Sequence, residues 1–443
     1  MSVPDPSSRT WIERDAAVVW HGFTQMSVYA DNAPLIVERA EGRELIDVDG
    51  RRYLDAISSL WVTTLGHHLP ELDAAARAQL DKVAHSTLLG NGNTATIELA
   101  EALAGVVPVD QPHFLFASDG AAAVEQALKI AFQYWTNRGI AGRTRYLALG
   151  GAYHGDTVGS ISVGAGGFGT DVFDPLRFPV LRAPGYDDPG WADTATALVS
   201  AHAHELAAVI LEPLVQGAAG MQVTDPASVW RFVQAAREHD VLVIIDEVAT
   251  GFGRTGTLFA SEQCDIHADL LCIGKGITGG YLPLAATVAS GRVFDAFLGP
   301  DLSERTFYHG HSYSGNALAC AVALRHLELV SEWDVLANVT ARAAQLDARL
   351  SERVLSLPSV AAVRRHGLMT GVELAPPAEG LRWGRRVCAA AVERGVLLRP
   401  LGDVVVLMPM LTSTAEEIDR IVTVLLEAIE QVTTSDAPGG ARA

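Results

Sequence analysis

The chain has 443 residues, 49% of them hydrophobic and 19% charged, which is the profile of a globular protein with room for more than one core. Its formal net charge of −19 gives no electrostatic support to nucleic-acid binding, and no uncharged apolar run approaches membrane-spanning length. Cys264, Cys272, Cys320 and Cys388 are widely spaced, a pattern of neither a zinc site nor a disulfide scaffold, and they point to a reducing, cytoplasmic setting.

In chain order, residues 1–10 are polar and expected to be disordered, and no basic segment followed by an apolar one marks a signal peptide. Leu35–Asp49 and Arg51–Leu54 read as strands around an Asp49-Gly50 turn. Apolar strands then alternate with helical patterns: Phe114–Ala117, Tyr146–Leu149, Ala208–Leu211, Val241–Ile245, Leu270–Ile273 and Leu284–Ala289. That alternation predicts an α/β fold with a mainly parallel sheet. After Ala317 a long helical pattern leads to a region of different texture. Helices at 340–355 and 415–432 flank short strands at Val360–Val363, Met369–Leu374 and Val404–Met408, a smaller α+β domain. The tail from Thr433 is expected to be disordered.

The stretch from Val241 to Gly280 carries the chemistry. Val241–Ile245 ends in Asp246-Glu247, a carboxylate at the carboxyl end of a buried strand, where α/β proteins bind ligands. Leu270–Ile273 leads into Gly274-Lys275-Gly276. A lysine and a carboxylate at adjacent strand ends suit pyridoxal phosphate. The amine condenses with the cofactor's aldehyde, and the carboxylate pairs with the pyridine nitrogen and keeps it protonated. Phe116–Glu125 passes from a strand through a glycine into a helix, Ala121–Asn137, whose first amides form a phosphate site. His309–Asn316 is a polar, glycine-bearing loop ahead of a helix; its His-x-His pair lacks further ligands at metal spacing.

These motifs together resemble the class III (ω-amino) aminotransferases, fold type I pyridoxal-phosphate enzymes, from about Trp20 to Val432. The resemblance implies Lys275 and Asp246 as the catalytic pair and pyridoxal phosphate as cofactor. It places the cofactor phosphate on Gly120 and Ala121, and the ring under Tyr153 of Gly151-Ala-Tyr-His-Gly155. His154 beside it is expected to be structural. Asp119 departs from the small neutral residue usual there, and is expected to cap the helix, turned from the phosphate. The resemblance also implies a homodimer in which His311 and Ser312, with Gly310, reach the partner's cofactor. It implies residues 11–55 packing with a small domain at 326–432, against a large cofactor-binding domain at 56–325.

Two changes narrow the resemblance. Ala218 and Ala249 stand where the glutamate-using members carry glutamate and glutamine. Both match the branch of the family that aminates 8-amino-7-oxononanoate to 7,8-diaminononanoate in biotin synthesis. So do Trp20-His-Gly-Phe-Thr-Gln-Met26, Ser58-Ser-Leu-Trp61 and Arg399-Pro-Leu-Gly402. Arg399 then receives the substrate carboxylate, for which an arginine fork is suited. Phe23 and Trp61 line the path of its hydrocarbon chain. Phe23, Leu60 and His311 replace residues usual in the adenosylmethionine-using members and resemble a subgroup that uses lysine, so both donors stand. The alternative is a class III enzyme acting on a diamine or ω-amino acid. A pyridoxal-phosphate-binding regulator would need a DNA-binding module for which there is neither length nor basic charge.

Overall fold

The computed structural model describes residues 10–32, 34–167 and 169–435. Seven strands form the central sheet: β1 (His113–Ala117), β2 (Arg145–Leu149), β3 (Leu181–Ala183), β4 (Leu206–Leu211), β5 (Leu242–Asp246), β6 (Leu270–Ile273) and β7 (Ala285–Ala289). Their spatial order is β1-β7-β6-β5-β4-β2-β3. β7 runs antiparallel to both neighbours, and the other pairs are parallel. The sheet is therefore mostly parallel, and β1, β2, β4, β5 and β6 all end on one edge.

The alternation of side chains explains why these strands read as unbroken apolar runs. Val243 and Ile245 of β5 enter the core on one face, with Trp191, Phe232 and Val233 of the covering helices. Leu242 and Ile244 enter the core on the other, against the Gly120–Asn137 helix. That helix is pinned at its far end, where Trp135 Nε1 donates to the Ala207 carbonyl at 2.8 Å.

The Arg52–Asp55 strand lies parallel to Val396–Leu397, with Val396 opposite Leu54. Leu54 and Leu65 enter a third core together with the helices Val335–Arg353, Trp383–Glu393 and Ala415–Ser435. A second four-stranded sheet runs Val360–His366, Met369–Leu374, Val404–Leu407, Arg399–Leu401. Among the described residues no helix is long and apolar enough to cross a membrane.

Three sequence expectations need correction. Leu35–Asp49 is two strands, Val37–Glu41 and Glu44–Asp47, because Gly42 takes φ +58 and turns the chain between them. The last helix continues through Thr433 to Ser435, its apolar stripe carrying it past the first polar residues; the rest of the expected tail lies outside the described residues. At the other end Thr10 caps the helix Trp11–Val18 in a reciprocal bond with Glu13, and residues 1–9 lie outside the described residues. β3 has only three residues and gives no periodic signal.

Arg254 ties the two regions together. Wholly buried, it donates Nη1 to the Pro409 carbonyl and Nη2 to the Thr63 carbonyl, both at 2.7 Å. Arg254→Ala strands two buried carbonyls and opens a cavity, and is expected to lower the unfolding free energy by about 3 kcal/mol. Urea denaturation measures it; a loss below about 1 kcal/mol contradicts this reading.

Candidate active site

The common edge of the parallel strands gathers the ionisable groups. Asp246 is the last residue of β5, and Glu212 directly follows β4, whose Leu211 lies opposite Ile245. Lys275 stands two residues beyond β6, whose Cys272 is opposite Asp246. Tyr153 and His154 come from the loop after β2, and Gly120 from the turn after β1. All of them line one cavity of about 710 Å³, with Trp61 and Ala249.

Asp246 is held from two sides: the Val248 amide donates to Oδ1 at 3.0 Å, and His154 Nδ1 sits 2.8 Å from Oδ2. The imidazole is buried and, among the described residues, its Nε2 has no partner. Lys275 Nζ is 5.2 Å from the centre of the Trp61 ring. Loss of water pushes its ammonium down from the ordinary range, against the opposing pull of Asp246 and Glu212. A neutral amine is therefore more accessible here than in water, as a nucleophile and proton carrier needs.

Sequence reasoning passed over Glu212. Its Oε1 accepts from the Tyr153 amide at 3.1 Å and its Oε2 from the Gly217 amide at 3.3 Å. Burial, helped by Asp246 and opposed by His154, raises its carboxyl to about 7. The signal was present: a carboxylate directly after an apolar parallel strand, the same pattern that singled out Asp246. Tyr153 is fixed at both ends, its hydroxyl donating to Asp156 Oδ2 at 2.7 Å.

At the start of the Gly120–Asn137 helix, Asp119 is the N-cap, accepting from the Ala122 amide through Oδ1 at 2.9 Å. The amides of Gly120 and Ala121 precede the first intrahelical bonds and face no acceptor among the described residues. A Cβ on Gly120 would meet Val248 Cγ1 at 2.6 Å, so only glycine lets this helix start approach the loop after Asp246.

The remaining expected residues lie elsewhere. Phe23 and Arg399 share a second cavity of about 690 Å³. Leu60 is 46% exposed beside Trp61. Gly310, His311 and Ser312 sit in an exposed loop tethered by His85, whose Nε2 is 2.6 Å from the Ser312 carbonyl. Phe23, Trp61 and Lys275 adopt φ of 54°, 66° and 44°, left-handed values that cost such residues energy and collect at working sites.

The family model "Aminotransferase class-III" matches residues 25–429. An adenosylmethionine-8-amino-7-oxononanoate aminotransferase of Nitratidesulfovibrio vulgaris is 46% identical, over 99% of this chain and 85% of that protein. One from Anoxybacillus flavithermus is 42% identical over 96% and 97%. The crystal structure of the Methanocaldococcus jannaschii aminotransferase of the same name superposes with a TM-score of 0.92 at 39% identity, covering 95% of this chain and 98% of that one. An amine transaminase from an uncultivated Pseudomonas species, in a PLP-bound form, gives 0.88 at 35% identity over 94% and 99%. The chain belongs to the class III aminotransferases, fold type I enzymes that work through pyridoxal phosphate.

The residues present fit that cofactor. The cavity holds one amine with a depressed ammonium and one carboxylate on the neighbouring strand end. At its edge are two unbonded amides at a helix start that only glycine permits.

Glu212 gives this site a pH signature. Its folded value of about 7 stands above the ordinary 4.5, so the stability it contributes is complete below about 4.5 and is lost as pH rises through 7. Glu212→Gln removes this slope, on the order of 3 kcal/mol, while its misplaced amide adds a pH-independent offset. Denaturant unfolding of the cofactor-free chain should find the Glu212→Gln variant gaining stability relative to the parent between pH 5 and pH 8. Parallel stability curves contradict it.

Proposed function

We propose that the chain aminates the C7 ketone of 8-amino-7-oxononanoate to give 7,8-diaminononanoate. The observation that carries this reading is the sharing of one cavity by Lys275, Asp246 and Ala249, in a chain whose full-length relatives bear that activity in their names. Ala218 and Ala249 leave no carboxylate or amide where the glutamate-using members have them. The ketone and the carboxyl stand at opposite ends of the substrate chain, so Arg399 outside the Lys275 cavity suits the carboxyl.

Pyridoxal phosphate supplies the aldehyde that carries the amino group and the ring that accepts electrons. Asp246, positioned by His154 and the Val248 amide, would be the group that keeps the pyridine nitrogen protonated. Lys275 would be the residue that holds the cofactor covalently, and its amine, once free, would carry the proton that the reaction moves. Tyr153 would pack against the ring, and the amides of Gly120 and Ala121 would hold the phosphate. Trp61 lines the same cavity for the substrate's hydrocarbon chain.

We infer a homodimer in which Gly310, His311 and Ser312 complete the partner's cavity. The exposure of this loop, with Tyr308 69% and Tyr313 65% exposed, supports it. Residues 56–325 form the large unit and 326–432 the small one, which 11–55 joins through the pairing of Leu54 with Val396. Four buried, unpaired cysteines suit the cytoplasm.

For the donor, adenosylmethionine stands in the relatives' names, and Phe23, Leu60 and His311 favour lysine as the second reading. Incubating the holoprotein and 8-amino-7-oxononanoate with each donor separately, and detecting product by mass spectrometry, decides. Product is expected with one of them and absent in Lys275→Ala. Product with neither, alongside turnover of a diamine or ω-amino acid, moves the chain to another class III activity.

A further inference from the structure

The cavity that holds Phe23 and Arg399 has a feature that motif reading does not give. Arg382 and Arg385, at the start of the Trp383–Glu393 helix, line it with Arg399. Many arginines elsewhere have carboxylate partners: Arg52 binds Glu41 and Glu44, Arg325 binds Glu328 and Glu332, and Arg349 binds Asp419. Among the described residues the guanidinium groups of Arg382, Arg385 and Arg399 have neither a hydrogen bond nor a carboxylate within ion-pair distance.

The other polar groups do not neutralise them. Asp403 is the one carboxylate in the lining, and its Oδ1 already accepts from the Gly384 amide at 2.9 Å. Cys388 is buried and its thiol pushed up to about 12, so it stays neutral. Three guanidinium groups against one committed carboxylate leave the cavity electropositive. Its walls are in part apolar, from Phe23 and Val28 on the N-terminal segment and Val392 on the helix. An inorganic anion would satisfy the charge and leave those walls unused. An anion on an aliphatic chain uses both.

We propose that Arg382 and Arg385 join Arg399 in one site for a carboxylate borne on an aliphatic chain, and that the acceptor substrate's carboxyl end is its occupant. The identity of the occupant rests on the acceptor assigned above; the anion site does not. Arg385 is half-buried on the helix where Arg382 is exposed, and is the residue whose loss matters most. A guanidinium bond to a carboxylate is strong enough for one lost contact to cost about tenfold in affinity.

The test uses the full chain loaded with cofactor. Nonanoate and inorganic phosphate are titrated calorimetrically into the parent, Arg385→Ala and Arg385→Lys, and KM and kcat for 8-amino-7-oxononanoate are measured in parallel. Nonanoate affinity is expected to fall about tenfold in Arg385→Ala and to recover in part in Arg385→Lys, which keeps the charge but not the fork. KM should rise by a similar factor, and kcat should change far less. Phosphate should bind more weakly than nonanoate. Arg382→Ala combined with Arg385→Ala serves as a second variant, with a larger loss expected. Unchanged nonanoate affinity in both variants overturns the proposal, and so does phosphate binding as tightly as nonanoate, which would make this a site for a free anion. If the parent fails to aminate the acceptor but nonanoate binding still depends on Arg385, the acceptor assignment falls and the anion site stands.

Discussion

Placing a carboxylate and an amine together at the buried edge of a parallel sheet is the constraint on which the rest of this structure depends. Burying ionisable groups is unfavourable unless each finds partners. Asp246 is therefore met by the Val248 amide and the His154 imidazole, and Glu212 by two backbone amides. The next carboxylate, Glu247, is wholly buried and accepts from Ser261 Oγ, Thr250 Oγ1 and the amides of Ala260 and Ser261. Those bonds fold the loop after β5 back on itself and leave Asp246 facing the cavity.

The same constraint accounts for the glycines and the strain around the site. Gly120 must lie against Val248 for the helix start to reach the cavity, and a Cβ at Gly155 would collide with Ala121 Cβ at 2.4 Å. Lys275 and Trp61 hold left-handed backbones that neither prefers, kept there by neighbours that leave no alternative. His326 shows how. Its Nε2 is 2.6 Å from Thr64 Oγ1, and its ring presses on Gly279 so closely that a Cβ there would meet it at 2.9 Å. The turn carrying Lys275 is thus packed against the segment that follows Trp61.

What the sequence made legible follows from the physics of each feature. The strands that place Asp246 and Lys275 are apolar on both faces, so they stand out as runs, and the acid and the lysine mark where those runs stop. The helix start was legible in the glycine that follows the strand, one residue early at Gly120, and Asp119 makes the capping bond expected of it. Leu35–Asp49 misled because a single glycine turn interrupts an otherwise strand-like composition. Glu212 carries the same strand-end signal as Asp246, but its partners are backbone amides, which leave no trace in side-chain identity to mark it further. Arg382 and Arg385 went unnoticed for a related reason: what distinguishes them is the absence of partners and a shared cavity, and only the folded chain brings the helix start, the Arg399–Leu401 strand and the N-terminal segment together.

The mechanism turns on which amine carries the cofactor. The chain has three lysines, and Lys82 and Lys129 are exposed while Lys275 lines the cavity beside Asp246. Reducing the cofactor-loaded protein with borohydride fixes the cofactor to the amine that holds it, and peptide mass mapping then reads its position. The added mass is predicted on the peptide containing Lys275 and on no other. Added mass on the peptide of Lys82 or Lys129, or none on that of Lys275, would contradict the assignment.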